Sequence, residues 1–437
     1  MISSQSLSPA ALTDSQKRHQ RHPDTLLADF NRIRTESVSI CQPLEIEDYG
    51  IQTMPDVSPP KWHLAHTSWF FETFLLKPFA ARFEPFHPQF EHLFNSYYNG
   101  VGEPYPRPRR GLLSRPTVDE IYAYRDWVDE GLERLLEAAD PGVMPEIASR
   151  LELGINHEQQ HQELILTDLK YNLGNNPLHP EYRSNLTPPA AVRAVGPLRF
   201  VEFPGGCVEV GASAAARFCF DNELPRHRVL LQPYALASRL VTNGEYLQFI
   251  ADGGYGASEL WLSDGWSWLR DELVTAPLYW RDAGRAEYRL GGLHALDPDS
   301  PVVHVSFYEA DAYARWAGHR LATEHEWEHA AQAQSCVGNF ASSDWLHPAP
   351  ATGAQGPIDQ LFGDVWEWTA SPYVAYPRYQ ALAGTLGEYN GKFMSNQLSL
   401  RGGSCATPEG HVRASYRNFF YPGDRWQFSG IRLASDA

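Results

Sequence analysis

Two histidines stand four residues apart in the run Ile155-Asn156-His157-Glu158-Gln159-Gln160-His161-Gln162-Glu163. A helical turn holds 3.6 residues, so on a helix both imidazoles leave one face, a turn apart. That spacing lets two neutral ring nitrogens meet one metal ion. The run also satisfies His-Glu-x-x-His, the zinc-protease pattern in which the glutamate is the general base. By itself the pair admits zinc, iron or no metal. A catalytic metal needs a third protein ligand and open positions for its substrates. The stretch Pro60-Lys61-Trp62-His63-Leu64-Ala65-His66-Thr67 offers His63 and His66, three residues apart. His66 shares its face with Trp62, Trp69, Phe70 and Thr73, a more apolar face than that of His63. Spacing alone leaves both open. His325 and His329 repeat the four-residue spacing, but they stand among glutamates and read as partly solvated helix surface.

A zinc protease would need more than the pair. The extended pattern with a third histidine downstream is absent, because Gln162, Glu163 and Leu164 follow His161. Its helix would also lie beside an edge strand that holds the peptide, whereas the surrounding periodicity predicts helices.

Those helices follow from apolar spacing and punctuation. Leu26, Leu27, Phe30 and Ile33 predict a helix over 24–40. Pro60 opens a second, to about Leu76. Thr117-Val118-Asp119-Glu120 is a capping-box signature. It opens a third helix with the stripe Ile121, Trp127, Val128, Leu132 and Leu135. A fourth runs from Met144 to Tyr171, with Ile147, Leu151 and Leu164 toward the core. Four amphipathic helices predict an antiparallel bundle over 24–175, behind a flexible tail at 1–23. A breaker-rich linker follows at 176–197. Residues 198–437 carry short strand-like pieces such as Arg228–Leu231, and few long helices, best at Ser306–Ala317 and Glu324–Gln332. The expected fold class is α+β.

Composition narrows the chemistry. The 437 residues exceed one compact core, and 43% hydrophobic with 20% charged is a soluble balance. The formal net charge of -17 argues against nucleic acid, whose phosphates require clustered cations. Arg107-Pro108-Arg109-Arg110 is the one dense cationic stretch, short enough to suit a carboxylate. Five scattered cysteines without a Cys-x-x-Cys fit a reducing compartment. The first 24 residues lack an apolar signal core, and no run is long enough to span a membrane. The expected location is cytoplasmic.

The motifs together resemble a known family. Pro59-Pro60-Lys61-Trp62-His63-Leu64-Ala65-His66-Thr67-Ser68-Trp69-Phe70-Phe71-Glu72 and His157-Glu158-Gln159-Gln160-His161 look like the DinB-like bundle of the ergothioneine-biosynthesis sulfoxide synthase (EgtB) family. The second half is similar to the formylglycine-generating-enzyme (sulfatase-modifying factor) fold, a C-type-lectin-like module. Its marks include Val241-Thr242-Asn243-Gly244-Glu245-Tyr246, Gly363-Asp364-Val365-Trp366-Glu367-Trp368 and Leu400-Arg401-Gly402-Gly403-Ser404.

The resemblance implies iron(II) held by His66, His157 and His161, with O2 as co-substrate. It also implies oxidative bonding of a sulfur or selenium donor to imidazole C2 of hercynine. Tyr97 and Tyr98, in Asn95-Ser96-Tyr97-Tyr98-Asn99, resemble a tyrosine pair that supplies a proton or hydrogen atom. Asn418, Phe419 and Phe420 resemble the substrate loop, since a quaternary ammonium is met by aromatic faces and polar oxygens rather than by donors. Gln160 is a further hercynine contact, and Glu158 and Asp168 are candidate acceptors behind the ligand imidazoles. Many relatives carry Arg-His-Pro-Arg where this chain has Pro104-Tyr105-Pro106-Arg107. Arg107 then remains for a donor carboxylate, while Tyr105 suits a sugar. This favours the family's selenoneine synthase branch, with its selenosugar donor, over a sulfoxide synthase using cysteine or γ-glutamylcysteine. A formylglycine-generating oxidase is excluded, because Cys405 has no partner cysteine nearby. A lectin-like module that binds a ligand without turnover is the non-enzymatic alternative.

Overall fold

The computed structural model describes residues 23–186, 188 and 195–437. The tail expected at 1–23 lies outside the described residues, apart from Pro23. Four helices build the first half: α1 (Pro23–Cys41), α2 (Pro60–Phe71), α3 (Val118–Ala138) and α4 (Met144–Gly174). Helix α1 packs on α4, and α2 on both α3 and α4. Pro60 sits at the first position of α2, where its missing N–H is no loss. At the start of α3 the Thr117 hydroxyl accepts from the Glu120 N–H, and the Glu120 carboxylate accepts from the Thr117 N–H. Such a cap is worth about 1 kcal/mol.

Three sequence expectations are corrected by packing. Helix α2 has no solvated side: every residue from Pro60 to Phe71 is buried, because neighbours enclose it on all sides. The contrast drawn between the faces of His63 and His66 therefore disappears. The chain beyond Phe71 widens into a π turn, Glu72–Leu76, before a last turn at Lys77–Phe79. In α4, Leu164 is only half-buried while Glu163 is buried, because the C-terminal half of α4 lies between the bundle and the second domain. Trp127 is likewise half-buried in α3, where Tyr124 and Arg125 are buried instead.

The segment expected as a linker is docked in part. Tyr182 is buried; its N–H donates to the Leu290 carbonyl at 2.8 Å and its hydroxyl to that of Ile40 at 2.7 Å. Thr187 and residues 189–194 lie outside the described residues.

The second domain holds two four-stranded sheets. One runs in the order Phe200–Phe203, Tyr234–Ala237, Leu433–Asp436, Arg320–Leu321. The other runs Asn418–Phe420, Leu398–Arg401, Trp366–Pro372, Ser429–Gly430. Asn418–Phe420 is an edge strand, paired antiparallel with Leu398 opposite Phe420 and Leu400 opposite Asn418. The helices Phe307–Trp316 and Glu324–Ala331 begin on capping boxes at Ser306 and Thr323. Helices at Asn243–Ala251 and Ser263–Asp271 were not singled out by periodicity, each being nine residues long.

His325 and His329 are half-buried, as a partly solvated face predicts, but the glutamates beside them are not solvated. Glu324, Glu326 and Glu328 are buried. Arg401 bridges Glu324 and Glu328 at 3.0 Å, and Arg417 clamps Glu324 through two bonds of 2.9 Å. His329 bonds the Tyr234 hydroxyl at 2.9 Å, and His325 packs near the rings of His227 and Tyr376, each at 6.0 Å. No helix of the described residues is long and apolar enough to cross a membrane.

Candidate metal centre

His66 on α2 and His157 and His161 on α4 are brought together, their candidate ligand atoms all within 4.8 Å of one another. All three rings are buried. They are the one group of three or more His, Cys, Asp or Glu side chains among the described residues with metal-holding spacing. Burial holds His66 and His161 well below the ordinary imidazole range, with neighbouring imidazoles adding to it; His157, also by burial, falls to about 3. All three are therefore neutral near pH 7, which is the ligand form.

The site meets a test of fit. His66 Nε2 and His157 Nδ1 are buried without a hydrogen-bond partner. Buried polar atoms are rarely left so. A cation bound between the rings satisfies both. Three imidazoles suit iron, zinc or copper; the donor set does not choose among them.

His66 is fixed tightly. Its ring lies between Trp62, at 4.7 Å and 10° between planes, and Trp69, at 5.4 Å and 15°. These indoles stand four residues before and three after His66, on the same helical face. Nδ1 donates to the Phe94 carbonyl at 2.6 Å, which leaves Nε2 for a ligand bond. His157 packs on Phe70 at 4.5 Å and meets the edge of Tyr389 at 5.6 Å. His63 is not in the metal group. Its Nδ1 lies 2.8 Å from Nδ1 of His161, and its Nε2 lies 3.0 Å from Asp168 Oδ2.

Glu158 makes no hydrogen bond with the three histidines and is taken up by two arginines. Its Oε1 accepts from Arg125 at 2.9 Å and its Oε2 from Arg34 at 3.1 Å, with no exposure to solvent. Burial alone would raise its pKa, but Arg34 and Arg125 prevail and hold it at about 2. A carboxylate occupied in this way is no general base, so the protease reading fails. It is also not an acceptor behind a ligand imidazole, as the sequence had suggested. Asp168 reaches His161 only through His63.

Tyr98 is fully buried against Trp69 at 5.5 Å, Phe70 at 6.5 Å and Phe74 at 5.2 Å. Trp69 and Phe70 in turn touch His66 and His157. Tyr97 stacks on Tyr98 at 4.6 Å from the outer side and meets Phe393 at 4.9 Å. Burial raises both phenols above their ordinary range. Phe419 stacks on Tyr373 at 4.1 Å and lies 5.8 Å from Phe393, two rings from Tyr98 through Tyr97. Phe420 packs instead on Trp426 at 5.9 Å, and Asn418 shares its side of the strand. The three loop residues are thus split between two faces.

Gln160 reaches the second domain. Its Nε2 donates to the Tyr416 hydroxyl at 2.7 Å, and its Oε1 accepts from the Tyr389 hydroxyl. His411 Nε2 stands 3.2 Å from the same Tyr416 oxygen. Tyr416 belongs to the segment Ser415–Phe420 that resembles the substrate loop, whereas no periodic pattern marks Tyr389 or His411, which lie in loops far along the chain.

Arg107 lies at the surface, donating to the Asp56 carbonyl, and Tyr105 donates to the Arg109 carbonyl at 3.3 Å. Neither makes a hydrogen bond or ring contact with the three histidines. Arg110 is the buried member of that stretch. Its guanidinium stacks 3.3 Å from the Trp62 ring centre and donates to Ser58 and Ser96 hydroxyls at 2.9 and 3.2 Å. All five cysteines are free, and Cys405 is buried.

Known proteins match both halves. A model of the DinB superfamily matches residues 29–165, and one of the sulfatase-modifying factor enzyme 1-like domain matches 191–356 and 356–437. The chain is 32% identical over 446 residues to the hercynine oxygenase of Mycobacterium tuberculosis, covering 95% of this chain and 99% of that one. It is 34% identical over 418 residues to the hercynine oxygenase of Mycolicibacterium smegmatis, covering 88% and 92%. The formylglycine-generating enzyme of Streptomyces coelicolor is 28% identical over 285 residues, 54% of this chain and 89% of that one.

Proposed function

The chain belongs to the hercynine oxygenase family, with its DinB-like bundle and sulfatase-modifying-factor domain, and from this we propose that it catalyses an iron(II)- and O2-dependent oxidative coupling at imidazole C2 of hercynine. In that coupling the C2–H bond and the donor's Se–H or S–H bond break, a C–Se or C–S bond forms, and O2 accepts the two electrons and two protons released. The observation that carries the proposal is the triad of buried, neutral imidazoles from two helices, with two ring nitrogens left unpartnered. Ferrous iron held there would supply the one-electron chemistry that lets O2 react with closed-shell substrates.

The chain's own residues have the following parts on this reading. His66, His157 and His161 hold the metal. Tyr98, with Tyr97 behind it, keeps a protonated phenol against the Trp69 and Phe70 rings that touch His66 and His157, and supplies a proton or hydrogen atom. Gln160 presents its remaining N–H and lone pair toward hercynine, its orientation fixed by Tyr389 and Tyr416. The strand Asn418–Phe420 borders the rest of that substrate, with the quaternary ammonium against the ring of Phe419, whose side of the strand runs on toward the tyrosine pair. The aromatic walls exclude water, so that oxidising equivalents reach the substrate.

The donor on this reading is a selenosugar, with Tyr105 as a sugar contact. A thiol donor, cysteine or γ-glutamylcysteine, is the second reading. It is favoured by Arg107, a surface guanidinium that makes no ion pair with a carboxylate among the described residues. Arginine is the residue that grips a carboxylate in two-point fashion. The experiment is aerobic incubation of the iron(II)-loaded protein with hercynine and both donors in competition, read by mass spectrometry. A C–Se product in excess supports the first reading, and exclusive C–S product transfers the assignment to the second. No O2 consumption with any donor would leave a binding module without turnover.

A further inference from the structure

The imidazole of His161 is anchored from behind by a chain of two buried residues, and the chemistry of that chain fixes where its proton sits. Asp168 Oδ2 accepts from the Ser58 N–H at 2.8 Å and lies 3.0 Å from His63 Nε2. A carboxylate only accepts, so the proton of that second bond is on His63 Nε2. A neutral imidazole protonated at Nε2 has its lone pair at Nδ1. The contact of 2.8 Å between His63 Nδ1 and His161 Nδ1 must then be donated by His161. This places the His161 proton on Nδ1 and leaves its Nε2 lone pair free.

We infer that Asp168 and His63 are positioning residues, a two-step relay that sets the tautomer and ring plane of His161 as a metal ligand. The inference rests on the proposal that the three histidines hold a metal. Placement in the fold explains why two residues are needed. Asp168 lies seven residues beyond His161, two turns along the same face of α4, about 10 Å in rise. No single hydrogen bond spans that gap. His63 comes from α2, one turn before His66, and fills it. Helix α2 thus supplies a ligand and the middle of the relay, while α4 supplies two ligands and the far anchor. His63, Asp168 and His161 are 2%, 1% and 8% exposed, so water does not compete for these bonds. The second oxygen of Asp168 has no partner, so the carboxylate has no competing attachment there. His66 is oriented differently, by the Phe94 carbonyl.

The test uses the full chain freed of metal and titrated with Co(II), with affinity from chelator competition and ligand geometry from the visible absorption of the bound ion. Asp168→Leu removes the acceptor and should weaken Co(II) binding by about 10- to 100-fold and alter the spectrum. His63→Leu fills the space without relaying and should do the same. His63→Gln can accept from His161 and donate to Asp168, and should restore most of both. Wild-type affinity and spectrum in Asp168→Leu and His63→Leu would overturn the relay. If Asp168→Leu does not fold, the contrast between Leu and Gln at position 63 decides the matter alone. A wild-type protein that binds no stoichiometric Co(II) would overturn the metal proposal and the relay with it.

Discussion

Glu163 accepts a hydrogen bond from the indole N–H of Trp366 at 2.8 Å, a bond between the helix of His157 and His161 and the sheet of the second domain. The same carboxylate accepts from the hydroxyls of Ser404 and, at 2.7 Å, Thr407. Glu163 stands two residues past His161. The orientation of that helix is therefore set in part by the other domain, through one buried side chain. Lys170 on the same helix repeats the device, donating to His304 Nε2 at 2.8 Å with its ammonium near the rings of Tyr279 and Phe428.

Glu163→Ala leaves an indole N–H and two hydroxyls buried without their acceptor. The expected loss is about 3 kcal/mol, from charge-assisted bonds removed and donors left unpaired. Glu163→Gln keeps an acceptor oxygen and should lose less. Urea unfolding of both variants checks this; equal stability of Glu163→Ala and the parent would show that the domains are held elsewhere.

Glu158→Gln should be a stability variant, with metal binding kept in the folded protein. Its folded-state pKa of about 2 lies below the ordinary value of 4.5. A depressed carboxylate stabilises the fold above the unfolded-state pKa and loses that contribution as pH falls through the folded-state value. The contribution is on the order of 3 kcal/mol, lost between about pH 5 and pH 2. Unfolding free energies across that window should fall steeply in the parent and less steeply in Glu158→Gln. Parallel curves would remove Glu158 from the account of acid stability.

The paired histidines, the bundle and the stacking around His66 were legible because each follows from helical spacing within one segment. Trp62 and Trp69 could be placed on the face of His66 by counting residues. Glu158 was misleading for the opposite reason. Its partners Arg34 and Arg125 come from two other helices, and the only local sign of them is a charged residue inside each apolar stripe. Tyr389 and Tyr416 reach Gln160 from loops more than 200 residues away, where no period exists to read. The glutamates beside His325 looked solvated because their counter-ions, Arg401 and Arg417, are equally remote.

Tyr98→Phe should cut turnover by about 100-fold or more, the usual scale for a proton donor acting in the transition state. Tyr98 lies against the two rings that touch His66 and His157, whereas Tyr97 is one ring further out, so Tyr97→Phe should cost less. Both variants should bind metal as the parent does. Steady-state rates alongside metal titration separate these effects; unchanged turnover in Tyr98→Phe would move the proton donor to Tyr389, whose edge meets His157.

Phe419 and Phe420 should not be equivalent. Neighbouring residues of a strand point to opposite sides, and the contacts follow that rule. Phe419 lies on Tyr373 and near Phe393, which itself packs on Tyr97. Phe420 lies on Trp426. Only the Phe419 side continues, ring by ring, to the tyrosine beside the histidines. A quaternary ammonium held near that path loses an aromatic face in Phe419→Ala, an interaction of about 0.5 to 2 kcal/mol. Hercynine binding to the Phe419→Ala protein should therefore weaken by about 3- to 30-fold, while Phe420→Ala changes it less. Calorimetric titration of hercynine into the metal-loaded, anaerobic variants measures both. A larger loss in Phe420→Ala would place the ammonium on the Trp426 side, together with Asn418, and detach its recognition from the tyrosine pair.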